Sequence, residues 1–150
     1  MGLVEAGDKT VVVGAGSVGI ESAIQLKEHG KDVCIIEIAP DTAKLTEAVR
    51  GVAREYIARL EALGIPLYFN CKLSEVTDTA VLCQDTVTGE IWEFAADTVL
   101  LALGMRPRHQ LADTLRRSAP ETEVYVVGDA LYADNIASAI RTGFKAAAYI

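Results

Sequence analysis

The sequence predicts an α/β fold: a three-layer domain in which a parallel sheet is flanked by helices, with an antiparallel β-meander added to it. Three observations support this prediction. Apolar strand-like runs alternate with amphipathic helical patterns as far as Gly64, a glycine-rich turn joins the first strand to the first helix, and short alternating runs follow Gly64. Regular alternation of strand and helix is typical of a parallel sheet with covered faces.

The size and composition of the chain narrow the classes of protein to which it can belong. It has 150 residues, 51% of them hydrophobic, which is enough for one globular domain with a core. A formal net charge of −7 argues against nucleic acid and anionic membrane surfaces as partners, because both need a basic patch. No apolar run approaches the ~20 residues of a membrane span, and the N-terminus lacks the features of a signal peptide. The expected location is therefore the cytoplasm.

The first half of the chain alternates strand and helix. Residues 10–13 form a short β-branched run that suits a buried parallel strand, and a helical pattern follows over residues 17–29. Residues 32–38, with the sequence DVCIIEI, predict a second buried strand. A long apolar stripe over residues 45–63 predicts a second helix, which Gly64 ends.

The second half of the chain has a different pattern. Residues 71–94 contain short β-rich runs separated by turn signals, which predict an antiparallel meander of three strands. Residues 97–104 return to a continuous buried strand, and residues 105–120 are polar with a short helical turn. Residues 123–130 predict one more strand, and residues 134–149 predict a terminal helix.

The three cysteines, Cys34, Cys71 and Cys83, are widely spaced and form no C-x-x-C pair. We therefore expect neither a disulfide framework nor a zinc site, and no metal ligand is assigned. Cys34 and Cys83 are interpreted as small core residues. Trp92 and Phe94 alternate with acidic residues, as in a half-buried hairpin, and are expected to pack within the meander.

The stretch VVVGAGSVGIE, residues 11–21, has the glycine spacing of a phosphate-binding turn. Gly14 would allow a tight turn after the strand, Gly16 would let the backbone approach a ligand, and Gly19 would let the helix pack closely on the strand. The amide groups of Ser17 and Val18 would then lie at a helix N-terminus, where they can bind a pyrophosphate. The motif predicts a Rossmann-like dinucleotide site.

Glu37 lies at the end of the second predicted strand, 23 residues after Gly14. Its carboxylate would accept hydrogen bonds from the ribose hydroxyls of an adenosine, and it would repel a 2′-phosphate. No Arg or Lys follows it before Lys44, so NAD(H) is expected to be preferred over NADP(H). The alternative interpretation is that the glycines only form a tight turn and that Glu37 is a solvated strand end.

Four segments, VVVGAGSVGIESA, VCIIEIAP, DTVLLALGMRP and VYVVGDA, resemble the nicotinamide-nucleotide domain of the two-dinucleotide-domain flavoproteins, the pyridine nucleotide-disulfide oxidoreductase superfamily. Within it they look most similar to the C-terminal part of the old-yellow-enzyme-like NADH:flavin oxidoreductases, such as 2,4-dienoyl-CoA reductase, enoate reductase and trimethylamine dehydrogenase. The resemblance implies that residues 1–120 are an NAD(P)-binding Rossmann-like domain. Residues 121–150 would be a return segment of a flavin domain, a strand and a helix, with the rest of that domain absent.

The resemblance also implies roles for single residues. Glu21 matches a glutamate near the nicotinamide and flavin rings, although it could equally be a first-turn helix acid stabilised by the helix dipole. Gly104 matches a glycine where the backbone passes close to the dinucleotide, or it is merely a strand end. Gly128 and Asp129 match a pair whose carboxylate binds the flavin ribityl chain, although without the rest of that site Asp129 would be idle or a turn former.

Hydride transfer between nicotinamide and flavin is the mechanism that the resemblance implies. FAD is expected in the parent protein but not in this fragment, which by itself should be inactive. The expected partners are a dinucleotide, the missing half of the flavin domain, and another copy of the chain through residues 121–150, whose apolar side chains would otherwise be exposed. A structural or regulatory nucleotide-binding module remains an alternative. A methyltransferase is a third, which the meander and the VVGDA segment disfavour.

Overall fold

The computed structural model describes residues 5–42 and 51–149. These residues form two compact units, which divide after Gly104. The second unit begins at Met105 and therefore includes the polar stretch 105–120 as well as the residues that follow it.

The described part of the chain contains seven strands and four α-helices. In chain order the strands are β1 (Lys9–Val13), β2 (Asp32–Ile36), β3 (Leu67–Tyr68), β4 (Cys71–Val76), β5 (Ala80–Asp85), β6 (Ile91–Ala95) and β7 (Thr98–Leu101). The helices are α1 (Ser17–Glu28), α2 (Ala53–Ala62), α3 (Gln110–Ser118) and α4 (Ile136–Ala147). Among the described residues, no helix is both long and apolar enough to cross a membrane.

The first unit is built on a parallel sheet with the strand order β3-β2-β1-β7. β1 lies between β2 and β7, and it pairs Val12 with Ile35 on one side and with Leu100 on the other. This central position explains why β1 reads as a continuous apolar run, since both of its faces are covered. The sequence does not distinguish β3 from the meander, because a two-residue strand has no periodicity of its own.

Each face of the parallel sheet packs on a different layer. One face carries Val12 and Ile35 and packs against α1 and α2, which contribute Ile20 and Leu60. The opposite face packs against the meander. The residues of that second cluster include Val11, Val13, Ile36, Val81, Trp92 and Phe94. The predicted fold class, a parallel sheet flanked by helices with an added meander, is confirmed.

The helices of the first unit end where the sequence predicts. α1 is followed by Gly30 and α2 by Gly64, both with positive φ angles, 81° and 62°, that suit a helix C-terminus. Of the helix expected over residues 45–63, the described part runs from Ala53 to Ala62, and residues 43–50 lie outside the described residues.

The meander has the predicted three strands, with β5 in the centre. Asp85 ends β5, and its carboxylate accepts hydrogen bonds from the backbone N–H groups of Val87 and Thr88 at 2.7 and 2.8 Å. These bonds hold the turn that leads to β6. Trp92 and Phe94 are partly buried and pack on the sheet, as the alternation with acidic residues indicated.

The expectation of no disulfide is wrong, because Cys71 and Cys83 are bonded to each other. They lie on neighbouring antiparallel strands, where pairing depends on strand register and not on a recognisable sequence spacing. Cys83 is buried and Cys34, a free cysteine, packs partly buried against the same cluster, so their assignment to the core is confirmed.

The second unit contains α3, α4 and a short 3₁₀ helix, Gly128–Ala130. The strand expected over residues 123–130 is not formed, because a strand requires a hydrogen-bonded neighbour and none of the described strands pairs with this segment. The terminal helix is confirmed as α4. Asn135 precedes it, and its side chain accepts a hydrogen bond from the Ser138 N–H at 2.9 Å.

Candidate functional site

The glycine-rich turn lies between β1 and α1, and two of its glycines are required by the fold. Gly14 has φ +102°, and a Cβ built there would lie 2.5 Å from the carbonyl oxygen of Ala102. A Cβ at Gly19 would lie 1.9 Å from the carbonyl oxygen of Gly14. The turn therefore lies too close to the backbone of Ala102 for a side chain at Gly14, and the helix lies too close to the turn for a side chain at Gly19.

Gly16 differs from its two neighbours in the motif. It has φ −68° and ψ 174°, which any residue can adopt, and a Cβ built there meets no described atom within 4 Å. Ser17 and Val18, which follow it, are exposed. Because the fold does not need a glycine at Gly16, the open space beside its backbone is available to a ligand.

Gly16 is also the N-cap of α1, and no described side chain caps this end of the helix. The first amide groups of a helix lack partners within the helix, so they must bond elsewhere. Together with the helix dipole, they can bind an anion such as a phosphate. Ser17 and Val18 are the first two residues of α1 after this N-cap, and both are exposed.

Glu37 lies directly after β2 and its carboxylate contacts the same turn. One carboxylate oxygen accepts a hydrogen bond from the Ala15 N–H at 2.6 Å, and the other accepts one from the Ala39 N–H at 2.8 Å. The side chain is partly buried. Glu37 is thus oriented by two backbone donors, one of which, Ala15, lies in the turn between Gly14 and Gly16.

Glu21 lies on the second turn of α1 and is exposed. The interpretation of Glu21 as a first-turn acid is therefore wrong, since four residues of the helix precede it. Its carboxylate accepts a hydrogen bond from the hydroxyl of Tyr56 on α2. This bond stabilises the neutral phenol and raises the pKa of Tyr56 above its usual value. Nothing in the sequence indicated Tyr56, because its partner is 35 positions away.

The remaining predicted residues lie at or beyond the boundary between the units. Gly104, with φ +78°, is the last residue of the first unit, and a Cβ built there meets no described atom within 4 Å. In the second unit, Gly128 has φ +59° and its N–H donates to the hydroxyl of Thr142 at 2.8 Å. Asp129 is exposed beside a cavity of about 600 Å³, which Met105 also lines.

The first unit therefore contains the glycine-rich turn and Glu37, whereas the second unit contains Gly128 and Asp129. Within residues 5–42 and 51–149, no three His, Cys, Asp or Glu side chains form a group that could hold a metal ion. The residues gathered around the turn are Gly14, Gly16, Ser17, Val18, Gly19 and Glu37.

Comparisons with known proteins give a family for this arrangement. A family profile described as pyridine nucleotide-disulphide oxidoreductase matches residues 2–143. Cinnamate reductase of Clostridium sporogenes is 27% identical over 142 residues, which cover 94% of this chain and 21% of the relative. Dihydrolipoyl dehydrogenase of Mycobacterium leprae is 34% identical over 105 residues, which cover 69% of this chain and 22% of the relative.

Solved structures agree with this result. A 2-naphthoyl-CoA reductase is 27% identical, with a TM-score of 0.77, over 95% of this chain and 21% of that chain. Histamine dehydrogenase from Rhizobium sp. 4-9 aligns with a TM-score of 0.82 at 21% identity, over 95% of this chain and 23% of that chain, and this shows the likeness of the fold. The chain spans about a fifth of the length of these relatives. Because the family profile covers nearly every residue, the chain belongs to the pyridine nucleotide-disulphide oxidoreductase family.

Proposed function

We propose that this chain binds NAD(H) at the glycine-rich turn and is part of a larger oxidoreductase that passes hydride between nicotinamide and flavin. The observation that carries the proposal is that the motif glycines differ in the space available for a side chain. Gly14 and Gly19 are enclosed by backbone, whereas no atom of residues 5–42 or 51–149 fills the space beside Gly16. A glycine that the fold does not require, placed at an uncapped helix N-terminus, is what close approach of a pyrophosphate requires.

The preference for NAD(H) over NADP(H) is proposed from Glu37. Its carboxylate is already oriented by the Ala15 and Ala39 amides, so its remaining lone pairs can accept from ribose hydroxyls. A 2′-phosphate at the same place would meet a negative charge. The difference is worth about 1 to 3 kcal/mol, or about 5- to 150-fold in affinity.

Nicotinamide and flavin, when bound, supply the redox chemistry themselves, and the protein supplies binding, orientation and exclusion of water. In this chain the turn would hold the pyrophosphate through the amides of Ser17 and Val18. Glu37 would fix the adenosine end, and the backbone at Gly104 would border the ligand. Asp129 would approach the flavin in the whole protein, whereas we propose that this chain alone retains no FAD and is inactive.

A second candidate function is a structural or regulatory nucleotide-binding module in which the nucleotide is not turned over. The hydrogen bond from Tyr56 to Glu21 favours it, because this contact engages the carboxylate that the resemblance places near the reacting rings. The two candidates differ in one measurement. If the longer parent protein transfers hydride from NADH to FAD, the flavin absorbance is bleached, and this result would support the oxidoreductase. Tight NADH binding without bleaching would support the module.

Titration calorimetry with NADH and NADPH tests dinucleotide binding by the chain itself. We expect the unaltered chain to bind NADH more tightly than NADPH. Glu37→Ala should weaken NADH binding and narrow the difference, and Gly16→Val should abolish binding of both. Gly143→Val is the matched control, since Gly143 also has space for a side chain but lies on α4 in the second unit. Equal affinities in the unaltered chain, or a folded Gly16→Val protein that binds NADH normally, would refute the proposal.

We also propose that residues 121–150 associate with a further protein surface. The second unit exposes one face of α4, with Ile136, Ile140 and Phe144 at successive turns and between 67% and 80% exposed. The prediction that residues 121–150 dock on a partner surface, in this chain or another copy, is tested by sedimentation velocity across a range of concentrations. A cytoplasmic location likewise stays a prediction.

A further inference from the structure

The disulfide between Cys71 and Cys83 lies deep in the first unit. Cys71 is the first residue of β4 and Cys83 is on β5, and their side chains are 2% and 0% exposed. Both belong to the cluster between the meander and the parallel sheet, together with Ile36 at the end of β2. The bridge therefore joins an edge strand of the meander to its central strand, within the cluster that packs on the parallel sheet.

The backbone next to this disulfide holds the segment that carries Glu37. The Cys71 N–H donates to the Glu37 carbonyl oxygen at 2.9 Å, and the Glu37 N–H donates to the Tyr68 carbonyl oxygen at 2.8 Å. The Asn70 N–H donates to the Ala39 carbonyl oxygen at 3.0 Å. Residues 68–71 thus fix the backbone on both sides of the Glu37 side chain.

The Glu37 carboxylate continues this connection to the glycine-rich turn through its bond from the Ala15 N–H, 2.6 Å long. Only two hydrogen bonds therefore separate the disulfide-bonded Cys71 from the turn. Both bonds involve Glu37, one through its backbone and one through its side chain. A change in the position of Cys71 acts first on Glu37 and then on the turn.

Asn70 lies at this junction and is held by backbone hydrogen bonds on both of its sides. Its N–H donates to the Ala39 carbonyl oxygen, and its own carbonyl oxygen accepts a hydrogen bond from the Thr86 N–H, just after β5, at 2.8 Å. Among the described residues it is the one non-glycine residue with a positive φ, at 55°, a conformation that asparagine adopts more readily than most residues. The next residue along the chain is the bridged Cys71.

We propose that the Cys71–Cys83 disulfide regulates the dinucleotide site by redox state. With the disulfide intact, β4 is held on β5, and Glu37 remains positioned at the turn. With the disulfide reduced, the junction at Asn70 relaxes and the Glu37 carboxylate is no longer held against Ala15. This inference rests on the proposed function, because it concerns the affinity of the site for NADH.

The chemical step is an exchange with a small dithiol. A thiolate of the dithiol attacks one sulfur of the bridge, and its second thiol then closes a cyclic disulfide and releases the protein. Two electrons and two protons pass from the dithiol to the protein, which is left with thiols at Cys71 and Cys83. Because both sulfurs are buried, the reductant reaches them when the edge strand β4 opens.

The third cysteine does not take part in this exchange. Cys34 packs against the same cluster, but burial, with a smaller contribution from the charge of Asp32, raises its pKa to about 11. Exchange requires a thiolate, and at neutral pH Cys34 is almost entirely the neutral thiol. The disulfide is thus protected from reshuffling within the protein.

The test compares the full chain oxidised with oxidised glutathione and reduced with dithiothreitol. The oxidised chain should be lighter by two hydrogen atoms in intact mass analysis, with one thiol titratable after unfolding. It should bind NADH at least about fivefold more tightly than the reduced chain, the lower end of typical coupling between sites. Hydrogen exchange at residues 14–16 and 37–39 without ligand should become faster on reduction.

Two variants separate the bridge from other effects. Cys34→Ser should keep the full redox response. The double variant Cys71→Ser with Cys83→Ser should lose it and bind NADH like the reduced chain, and chemical reduction of the unaltered chain covers the case in which this variant fails to fold. Three titratable thiols after glutathione treatment would overturn the inference.

The binding results also separate this inference from the proposed function. Equal NADH affinity and equal hydrogen-exchange rates in the oxidised and reduced chains would overturn the redox regulation without contradicting dinucleotide binding. If neither the oxidised nor the reduced chain binds NADH, the proposed function fails, and the hydrogen-exchange rates alone decide whether the disulfide is coupled to the glycine-rich turn. Faster hydrogen exchange on reduction would support this coupling, and unchanged hydrogen exchange would refute it.

Discussion

Substitution of two motif glycines, Gly16 and Gly19, should separate folding from binding. At Gly19 the distance from a new Cβ to the Gly14 carbonyl oxygen would be 1.9 Å, about 1.5 Å short of ordinary contact, which begins near 3.4 Å. Both groups are backbone or fixed to it, so no side-chain rotation relieves the overlap. The helix would have to move away from β1, which breaks packing around Ile20 in the core. Overpacking typically costs about 1 to 3 kcal/mol, and because this overlap involves backbone that cannot rotate away, we expect a cost at the upper end, about 3 kcal/mol.

Gly16 should respond differently to substitution. Gly16→Ser places a hydroxyl at the N-cap of α1, where serine is slightly better than glycine, so stability should change by no more than about 0.5 kcal/mol. The same side chain occupies the space that the pyrophosphate would need. Gly16→Ser should therefore fold normally and lose NADH binding, whereas Gly19→Ala should lose stability first.

The assay is urea unfolding followed by circular dichroism, with NADH titration of every variant that folds. A loss of 3 kcal/mol lowers the folding equilibrium constant about 150-fold and is easily resolved. The reasoning is wrong if Gly19→Ala unfolds at the same urea concentration as the unaltered chain. It is equally wrong if Gly16→Ser loses as much stability as Gly19→Ala, because a side chain at Gly16 would then be in conflict with the folded chain.

Three further predictions concern titratable groups. Hydrogen bonds from the backbone N–H groups of Thr88 and Val87 lower the pKa of Asp85 below its usual 3.8. The ionised Asp85 therefore stabilises the folded chain above pH 3.8, and this stabilisation is lost as the pH falls through the lower pKa of the folded state. The difference in melting temperature between the unaltered chain and Asp85→Asn should shrink on acidification. Cys34, with a pKa raised to about 11, should react slowly with iodoacetamide at pH 8 and rapidly once unfolded. Glu21→Gln should lower the pKa of Tyr56 towards its usual value, seen as an earlier phenol titration by ultraviolet absorbance, whereas an unchanged titration would refute the hydrogen bond.

Much of the fold follows from local patterns. β1 and β2 appear as continuous apolar runs because both faces of a parallel sheet are buried, and α1 appears through its spacing and its closing glycine. The meander is recognisable from its turns. The expected strand over residues 123–130 failed for a physical reason, since apolar β-branched residues favour an extended chain but cannot supply the neighbour that makes it a strand.

The candidate site was partly predictable. The sequence indicates the glycine spacing and the acidic residue after the second strand, because both are short-range signals with fixed separation. It also left open whether Glu37 was merely a solvated strand end. The structure places its carboxylate on the Ala15 and Ala39 amides, whereas nothing in the sequence indicated the contact of Tyr56 with Glu21.

Sequence patterns alone therefore establish which residue types stand at a turn, a strand end or a helix end, since these depend on neighbours within a few positions. They do not reveal why each glycine is there. Gly14 is enclosed by Ala102, a residue far along the chain, and Gly16 is open. The bond between Cys71 and Cys83 likewise depends on the register of two strands. Contacts of this kind arise when distant segments pack together, and only the folded chain shows them.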